Sequence, residues 1–420
     1  MINENKIKLN ADGGPIVFLG SMNAMPMMYA LELKKKGFEV IYFVDAPVYD
    51  KLCRPENHFS DIEYPYPDWI VEINLKTQML LPFFRILFSA YLDWKINKIS
   101  NKRPQVYVLN GFFISLSPFL GSGIPKIALS HGSDLDSWAD VDGSATLANN
   151  FCNFSIFKFF PKILSKILIK YVVMKQFNGF VESDKVVYFP YGFNTAGDLV
   201  IDALRKKGVH CYERYDISFE PLKNQNRSFN CSNNRLVVFS GVRFTYKTFS
   251  EGNADYNKGN DIIIRGLAKY YQYNKNMEIH FVEKGPDVND AKRLCEELGL
   301  IDAVIWHKEM SFIELLDLYQ KSDICFDQLG AHWIGAIGAY AMYLGKPLIA
   351  NDNLPVKVGI WPRNNPICSA FTAEEVFDQL KRLQDINERE RLSSESKRFV
   401  EYYMSPDKLL KELFAFETVV

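Results

Sequence analysis

The sequence predicts an α/β protein of two tandem Rossmann-like domains with a cleft between them. Three observations point there. The 420 residues exceed one ordinary core and suit two. Short apolar runs alternate with helical stretches through both halves, which is the pattern of parallel sheets covered on both faces. A polar stretch, NQNRSFNCSNN at 224–234, interrupts that alternation once.

PIVFLG (15–20) opens the first half as a buried strand. A Gly/Ser/Asn turn and an amphipathic helix through Lys36 follow, stopped by Gly37 ahead of the strand FEVIYFV (38–44). PQVYVLN (104–110), PKIALS (125–130) and VVYFP (186–190) repeat the strand pattern. In the second half, strand RLVVFS (235–240) precedes a helix from about Asn260, strand EIHFVE (278–283) and a helix over 288–298. Strand AVIWH (303–307), helix 311–320, strand DICFD (323–327), a Gly/Ala helix near 335–344 and strand KPLIAN (346–351) complete it. The domains expected are 1–195 and 233–390, joined by a connecting insertion at 196–232, with C-terminal helices at 391–420 packing back toward the first domain. Ligands of such sheets bind at the carboxyl ends of the strands.

Bulk properties narrow the function. At 48% hydrophobic and 24% charged the chain is globular, and Lys+Arg 49 against Asp+Glu 50 leaves no basic field for nucleic acid. The first fourteen residues lack the apolar segment of a signal peptide, and no apolar run approaches the roughly 20 residues of a spanning helix. Seven scattered cysteines without a C-x-x-C pair indicate a reducing compartment, so a cytoplasmic location is expected. None of the six histidines pairs with Cys or Glu at metal-ligand spacing.

Two constellations carry chemistry in the second half. Strand 235–240 ends in Gly241-Val242-Arg243, and Asn257-Lys258-Gly259-Asn260-Asp261 opens a helix. An Arg and a Lys converging on a helix N-terminus would hold a diphosphate, although either cation taken alone is more often a solvated surface charge. Small residues at Gly335, Ala336, Gly338 and Ala339 leave the start of the next helix open to a phosphate or sugar, or else serve tight helix–sheet packing.

From Gly241 to Pro347 the chain resembles the donor-binding domain of GT-B glycosyltransferases, in particular the retaining family 4 (glycosyl transferases group 1). The matching features are the Gly241/Arg243 turn, Lys258-Gly259-x-Asp261, the Gly285-Pro286 turn, and Glu296-Glu297-Leu298-Gly299-Leu300. The strand 303–307, the helix before Ser322-Asp323, and Ala341-Met342-x-x-Gly345-Lys346-Pro347 complete the series. The resemblance implies that Arg243 and Lys258 bind the donor diphosphate and stabilise the leaving nucleotide, with Gly241 and Glu283 beside them and His307 and Glu309 flanking the nucleobase. It implies a retaining transfer without metal or other cofactor, in which two fixed cations take over the electrostatic work of a metal.

One departure stands out. The family places two glutamates eight positions apart, and His332 and Tyr340 occupy those positions. Tyr340 would bond a ribose hydroxyl, and His332, with Trp333 beside it, would contact sugar or phosphate. Neither supplies a negative charge, which leaves donor identity and stereochemical outcome open.

In the first half, Ser130-His131-Gly132-Ser133-Asp134 follows a strand directly, as a His-Gly-x-Asp turn does in family 4. The resemblance makes His131 a catalytic candidate and Asp134 part of an acceptor-side loop with Gly20, Ser21 and Asn23; the alternative for His131 is a capped turn histidine. Asp134-Leu135-Asp136 and Asp140-Val141-Asp142 imitate a metal-binding triplet, but such triplets are frequent by chance and no metal is assigned.

Two windows are aromatic and basic: MLLPFFRILFSAYLDWKINKI (79–99) and FCNFSIFKFFPKILSKILIKYVVMKQ (151–176). Lys158, Lys162, Lys166 and Lys170 recur every four residues, one stripe if the segment is helical. An interfacial face toward anionic lipid is expected, the alternative being a core helix with a solvated lysine edge. The function expected is thus a nucleotide-sugar-dependent glycosyltransferase acting on a glycan or lipid-linked acceptor, peripheral at the inner membrane face, in bacterial cell-surface polysaccharide synthesis. A sugar-nucleotide epimerase of similar fold and a non-catalytic transferase-like partner subunit are the rivals; a nicotinamide oxidoreductase lacks its glycine fingerprint.

Overall fold

The computed structural model describes residues 6–50, 52–73, 78–219, 222, 225–229, 235–248, 257–310, 312–330 and 334–417. The chain forms two compact units, residues 1–221 with 406–420, and residues 222–405.

The first unit is built on a seven-stranded parallel sheet. Its spatial order is Ile70–Glu72, Val40–Val44, Ile16–Leu19, Val106–Leu109, Lys126–Leu129, Lys185–Tyr188 and His210–Glu213. Side chains alternate between two cores, as the twofold period of a strand requires. Val17, Leu19, Ile41, Phe43, Tyr107 and Leu109 face one core, whereas Ile16, Phe18, Val40, Tyr42, Val106 and Val108 face the other. Each fully buried aliphatic or phenylalanine side chain contributes about 1.5–3 kcal/mol, so the continuous apolar runs are stable only as central strands.

The second unit carries a six-stranded parallel sheet in the order Val304–His307, Met277–Val282, Leu236–Ser240, Ile324–Phe326, Leu348–Ala350 and Cys368–Ser369. Helices Asn260–Tyr273 and Ala373–Arg382 pack together beside it, the latter started by a reciprocal Thr372/Glu375 capping box. Both sheets reverse strand order beside their first major strand, at Leu19/Leu109 and at Ser240/Phe326. At these switch points neighbouring loops diverge and open a crevice.

Two expectations about the ends of the domains change. Residues 196–213, expected in the connecting insertion, supply the last helix, Thr195–Lys206, and the last strand of the first sheet. His210–Glu213 is an edge strand with no apolar run, so its sequence resembles a loop. At the C-terminus, helix Ile386–Tyr403 belongs to the second unit; helix Pro406–Leu413 and strand Phe414–Glu417 belong to the first. That strand pairs in parallel with Ile7–Asn10, and Leu409, Leu410 and Leu413 enter the first unit's core.

Candidate active site

In the second unit the switch point gathers Gly241, Arg243, Lys258, Asp327 and Gln328. Gly241 follows strand Leu236–Ser240 and lies near Ile337 of the facing helix. Gly259 adopts a left-handed conformation (φ +66°), and a Cβ there would stand 2.4 Å from the Gly330 amide nitrogen, so only glycine permits this approach. That close turn, with the Leu329 amide donating to the Lys258 carbonyl (3.0 Å), aims Lys258 at the end of the neighbouring strand. The Lys258 ammonium donates to Gln328 Oε1. Burial lowers its pKa, Asp327 opposes that shift, and the positive charge of Arg243 adds to it. The positive charge of Arg243 thus reaches Lys258. Arg243 is exposed, and the Gly285 turn backs its side chain.

The small residues of the following helix are explained differently from a naked phosphate cradle. Asp327, buried at the strand end, accepts from the Gly335 amide (2.6 Å) and the Gly338 amide (3.1 Å) through Oδ2, and from the Gln328 amide (2.8 Å) through Oδ1. A Cβ on residue 338 would meet Oδ2 at 2.5 Å. The carboxylate thus fills the place at this helix start that an anion would take, and tight packing accounts for Gly338.

Glu283, His307 and Glu309 lie at the edge of the sheet formed by Met277–Val282 and Val304–His307. Glu283 pairs with Lys292 (2.6 Å) and Lys308, and Glu309 with Lys284 (2.8 Å); these bonds lower both carboxyl pKa values. Arg243 is close enough to lower Glu309 further. The His307 and His280 rings stack with centroids 5.1 Å apart. His280 Nε2 faces Glu278 (2.8 Å), so it carries the proton, and His280 Nδ1 accepts from His307 Nε2 (2.8 Å). Burial first, then neighbouring positive charge, keeps His307 below the usual imidazole range. Tyr340 is half-buried, and desolvation raises its hydroxyl to about 12. His332 and Trp333 lie outside the described residues.

In the first unit Gly20 (φ +98°) turns the chain so that its Cα packs on the Asn110 carbonyl. Ser21 donates from both N–H and O–H to Asp45 Oδ1 (3.0 Å each), and Asn23 is itself in the left-handed region (φ +56°). Asn110 Oδ1 accepts from the Met22 amide (2.8 Å), tying the two strand ends together. His131 is buried with both ring nitrogens engaged. Arg214 donates to Nε2 (3.0 Å), so the ring proton resides on Nδ1 and points to the Leu129 carbonyl (3.1 Å). The Asn110 amide donates to the same carbonyl (2.9 Å) and crowds Nδ1 at 2.5 Å. Desolvation, then the Arg214 charge, hold His131 well below the usual imidazole pKa, fixing it as neutral.

Asp134 organises the loop from inside. Oδ1 accepts from Ser130 Oγ (3.0 Å) and from the His131 and Leu135 amides (3.0 and 3.1 Å), and Oδ2 accepts from the Gly111 amide (3.3 Å). Asp136 lies beside it, raised to about 7 by burial, then by the charges of Asp134 and Asp198. A carboxyl raised above its unfolded value near 4 penalises the folded state once ionised: the penalty is complete above pH 7 and gone near pH 4. Asp136→Asn is therefore expected to raise the thermal midpoint at pH 8 by about 2–4 °C, with the gain shrinking to nothing toward pH 4. A gain equal at both pH values, or a loss at pH 8, would refute this electrostatic account.

Five contributors were missed by motif reasoning: Asp45, Asn110, Asp327, Gln328 and Arg214. Asp45 directly follows the predicted strand FEVIYFV, and Asn110 and Asp327 end PQVYVLN and DICFD, so a polar residue at a parallel strand's carboxyl end was the available signal. Gln328 is the next residue after Asp327. Arg214 follows the unrecognised edge strand and offered none.

The architecture is that of the GT-B glycosyltransferases: two parallel α/β sheets with polar groups gathered at each switch point. Among solved structures the chain is similar to the sucrose-phosphate synthase of Thermosynechococcus elongatus, with TM-score 0.55 at 13% identity over 95% of this chain and 97% of that one. It is equally similar to a glycosyltransferase of Rickettsia africae, with TM-score 0.55 at 14% identity over 96% and 97% of the two chains. A mutant O-GlcNAc transferase of Thermobaculum terrenum gives 0.50 at 12% identity, covering 98% of this chain and 68% of that one. No protein-family profile and no curated protein sequence matches the chain.

Proposed function

We propose that the protein is a nucleotide-sugar-dependent glycosyltransferase, retaining and metal-independent. Its second unit would hold the donor and its first unit a glycan or lipid-linked acceptor. The observation that carries this reading is that Arg243 and Lys258 follow the strand ends of the second switch point on turns built by Gly241 and Gly259, close enough for the charge of Arg243 to lower the Lys258 pKa. A departing nucleoside diphosphate gains negative charge in the transition state, and two preorganised cations stabilise that charge more than they stabilise the ground state. Gly241 admits the diphosphate, while His307 and Glu309 flank the base and Tyr340 the ribose. His131, held neutral by burial and then by the Arg214 charge, would act as a hydrogen-bonding group against the sugar and not as a proton store.

Peripheral attachment to the inner face of the membrane, and with it a place in cell-surface polysaccharide synthesis, is the second part of the proposal. Helices Arg85–Ile99 and Lys162–Val181 both pack on the buried turn 111–119, and Phe83 stacks on Tyr171 between them (5.3 Å). Each leaves large apolar side chains in water: Ile86 is 67% exposed and Leu87 69%, Ile163 78% and Ile167 59%, with Phe159 (77%) in the turn before the second helix. Lys162, Lys166 and Lys170 border the second helix, with Lys158 in the turn before it. Among the described residues no helix is long and apolar enough to cross a membrane. This composition suits a surface lying at the headgroup level.

A thermal-shift panel of UDP-, GDP-, CMP- and TDP-sugars tests the donor reading. Stabilisation by one nucleotide class, lost in Arg243→Ala/Lys258→Ala, is expected; no stabilisation by any would sink the transferase reading. Donor turnover without acceptor would favour the epimerase, and intact cellular function in the double variant would favour the non-catalytic partner.

A further inference from the structure

After strand His210–Glu213 the chain turns inward, and every residue from Arg214 to Ser218 is buried. The Arg214 amide extends the sheet ladder by donating to the Tyr188 carbonyl (2.9 Å), which fixes where its side chain departs. The guanidinium is poorly satisfied for so buried a cation. Nε and Nη2 have no hydrogen-bond acceptor, and Asp216 Oδ1 stands 3.4 Å from Nε without closing a bond. Its side-chain hydrogen bond runs from Nη1 to His131 Nε2 (3.0 Å). Asp216 Oδ2 accepts from Tyr29 of helix Pro26–Lys35, and the Phe189 and Tyr29 rings flank the guanidinium at 4.8 and 6.0 Å. Burying a charge with so few acceptors is costly, so stability alone is a poor reason for Arg214.

A neutral imidazole has one acceptor nitrogen, and two donors compete for it here. Asn110 Nδ2 lies 2.5 Å from Nδ1, and Arg214 Nη1 lies at Nε2. Asn110 cannot turn its amide round, because Oδ1 already accepts from the Met22 amide (2.8 Å). It does have a second acceptor in the Leu129 carbonyl (2.9 Å), whereas the Arg214 guanidinium has none. A charged donor also bonds roughly twice as strongly as a neutral one. Arg214 therefore takes the lone pair at Nε2, and the proton goes to Nδ1, which reaches the Leu129 carbonyl (3.1 Å). The other charged neighbours leave this choice alone. Asp134 accepts from the His131 backbone amide and not from the ring; Asp216 and Tyr29 lie behind Arg214, and Glu412 of helix Pro406–Leu413 senses Asp216.

We propose that Arg214 is the positioning residue of the first unit's site: it selects the Nδ1–H tautomer of His131 over the Nε2–H tautomer that Asn110 would impose, and Asp216 with Tyr29 holds it in place. That the ring so fixed faces the transferred sugar rests on the transferase reading above; the choice of tautomer rests on the buried cluster alone.

Heteronuclear NMR on the full chain, labelled at histidine nitrogen, reads the ring tautomers directly. The chain has six histidines, and His131→Gln assigns the resonance in question. The wild type is expected to show the Nδ1–H pattern, with no titration through the ordinary imidazole range near ~6.5. Arg214→Met is expected to convert it to the Nε2–H pattern and to move the titration midpoint up, while Arg214→Lys, which keeps a charged donor, retains the wild-type pattern. His280 and His307 of the second unit serve as unchanged controls. A merely structural role for Arg214 would leave the tautomer unmoved in a folded variant. Should thermal unfolding show that Arg214→Met does not fold, the wild-type and Arg214→Lys spectra still decide. An Nε2–H pattern in the wild type or in Arg214→Lys, or an unchanged pattern in folded Arg214→Met, overturns the proposal. A tautomer switch in a chain that no nucleotide sugar stabilises upholds the role of Arg214 and removes the transferase reading; nucleotide stabilisation without a switch does the reverse.

Discussion

Arg243→Ala/Lys258→Ala is expected to lower sugar transfer by at least about a thousandfold, with nucleotide stabilisation lost in parallel. Each cation is the counterpart of a preorganised oxyanion donor, and removal of one such donor typically costs a hundredfold or more. Fold stability is expected to survive. Arg243 is exposed and forms no ion pair among the described residues, and Lys258→Ala removes one hydrogen bond, that to Gln328 Oε1. The single variants separate the roles. Lys258 is desolvated, so its loss is expected to act mainly on kcat, where charge develops in a poorly hydrated place; exposed Arg243 is expected to act on donor KM as well. Thermal unfolding and steady-state kinetics on the three variants check this, and retention of full activity in the double variant would exclude the donor site described.

Ile163→Glu/Ile167→Glu is expected to weaken binding to vesicles containing a third phosphatidylglycerol by at least about a hundredfold. Burying an isoleucine contributes about 1.5–3 kcal/mol, so two lost anchors alone account for two decades, before any repulsion of the new carboxylates from anionic headgroups. Both side chains are exposed on the helix that carries the lysines, so the substitutions leave the core untouched. Raising the salt concentration is expected to weaken the wild type as well, since the lysine contribution is screened within about 8–10 Å. Vesicle flotation measures both effects. Equal flotation of the variant and the wild type, or none by the wild type, rules out a lipid face. On the buried side of the same helix, Gln176 donates to the Gly111 and Asp134 carbonyls (3.0 and 3.2 Å). One helix thus carries both the exposed apolar side chains and a bond to the loop around His131.

Legibility in the sequence followed burial. Every strand predicted from an apolar run is present, because a segment covered on both faces must be apolar throughout and announces itself. Ile7–Asn10, Ile70–Glu72, His210–Glu213, Cys368–Ser369 and Phe414–Glu417 escaped notice. They are short and peripheral, and edge or two-stranded pairings do not demand a continuous apolar run. The site divides in the same way. The glycines, Arg243, Lys258 and His131 sit in recognisable turns, whereas the partners that fix their states come from segments far away in sequence. Arg214 reaches His131 across 83 positions and Gln328 reaches Lys258 across 70.

The sequence by itself determined the two parallel sheets, the turns that carry the glycines and cations, and the aromatic, lysine-rich windows. All of these follow from local pattern: periodicity, strand-ending glycine, and side chains four apart. Only the tertiary structure decided what each polar group does. It gave the start of helix Ala336–Tyr343 to Asp327 and locked His131 in its neutral tautomer. The physical reason is that hydrogen-bond saturation and desolvation depend on which distant groups share a buried volume, and sequence spacing carries no record of that.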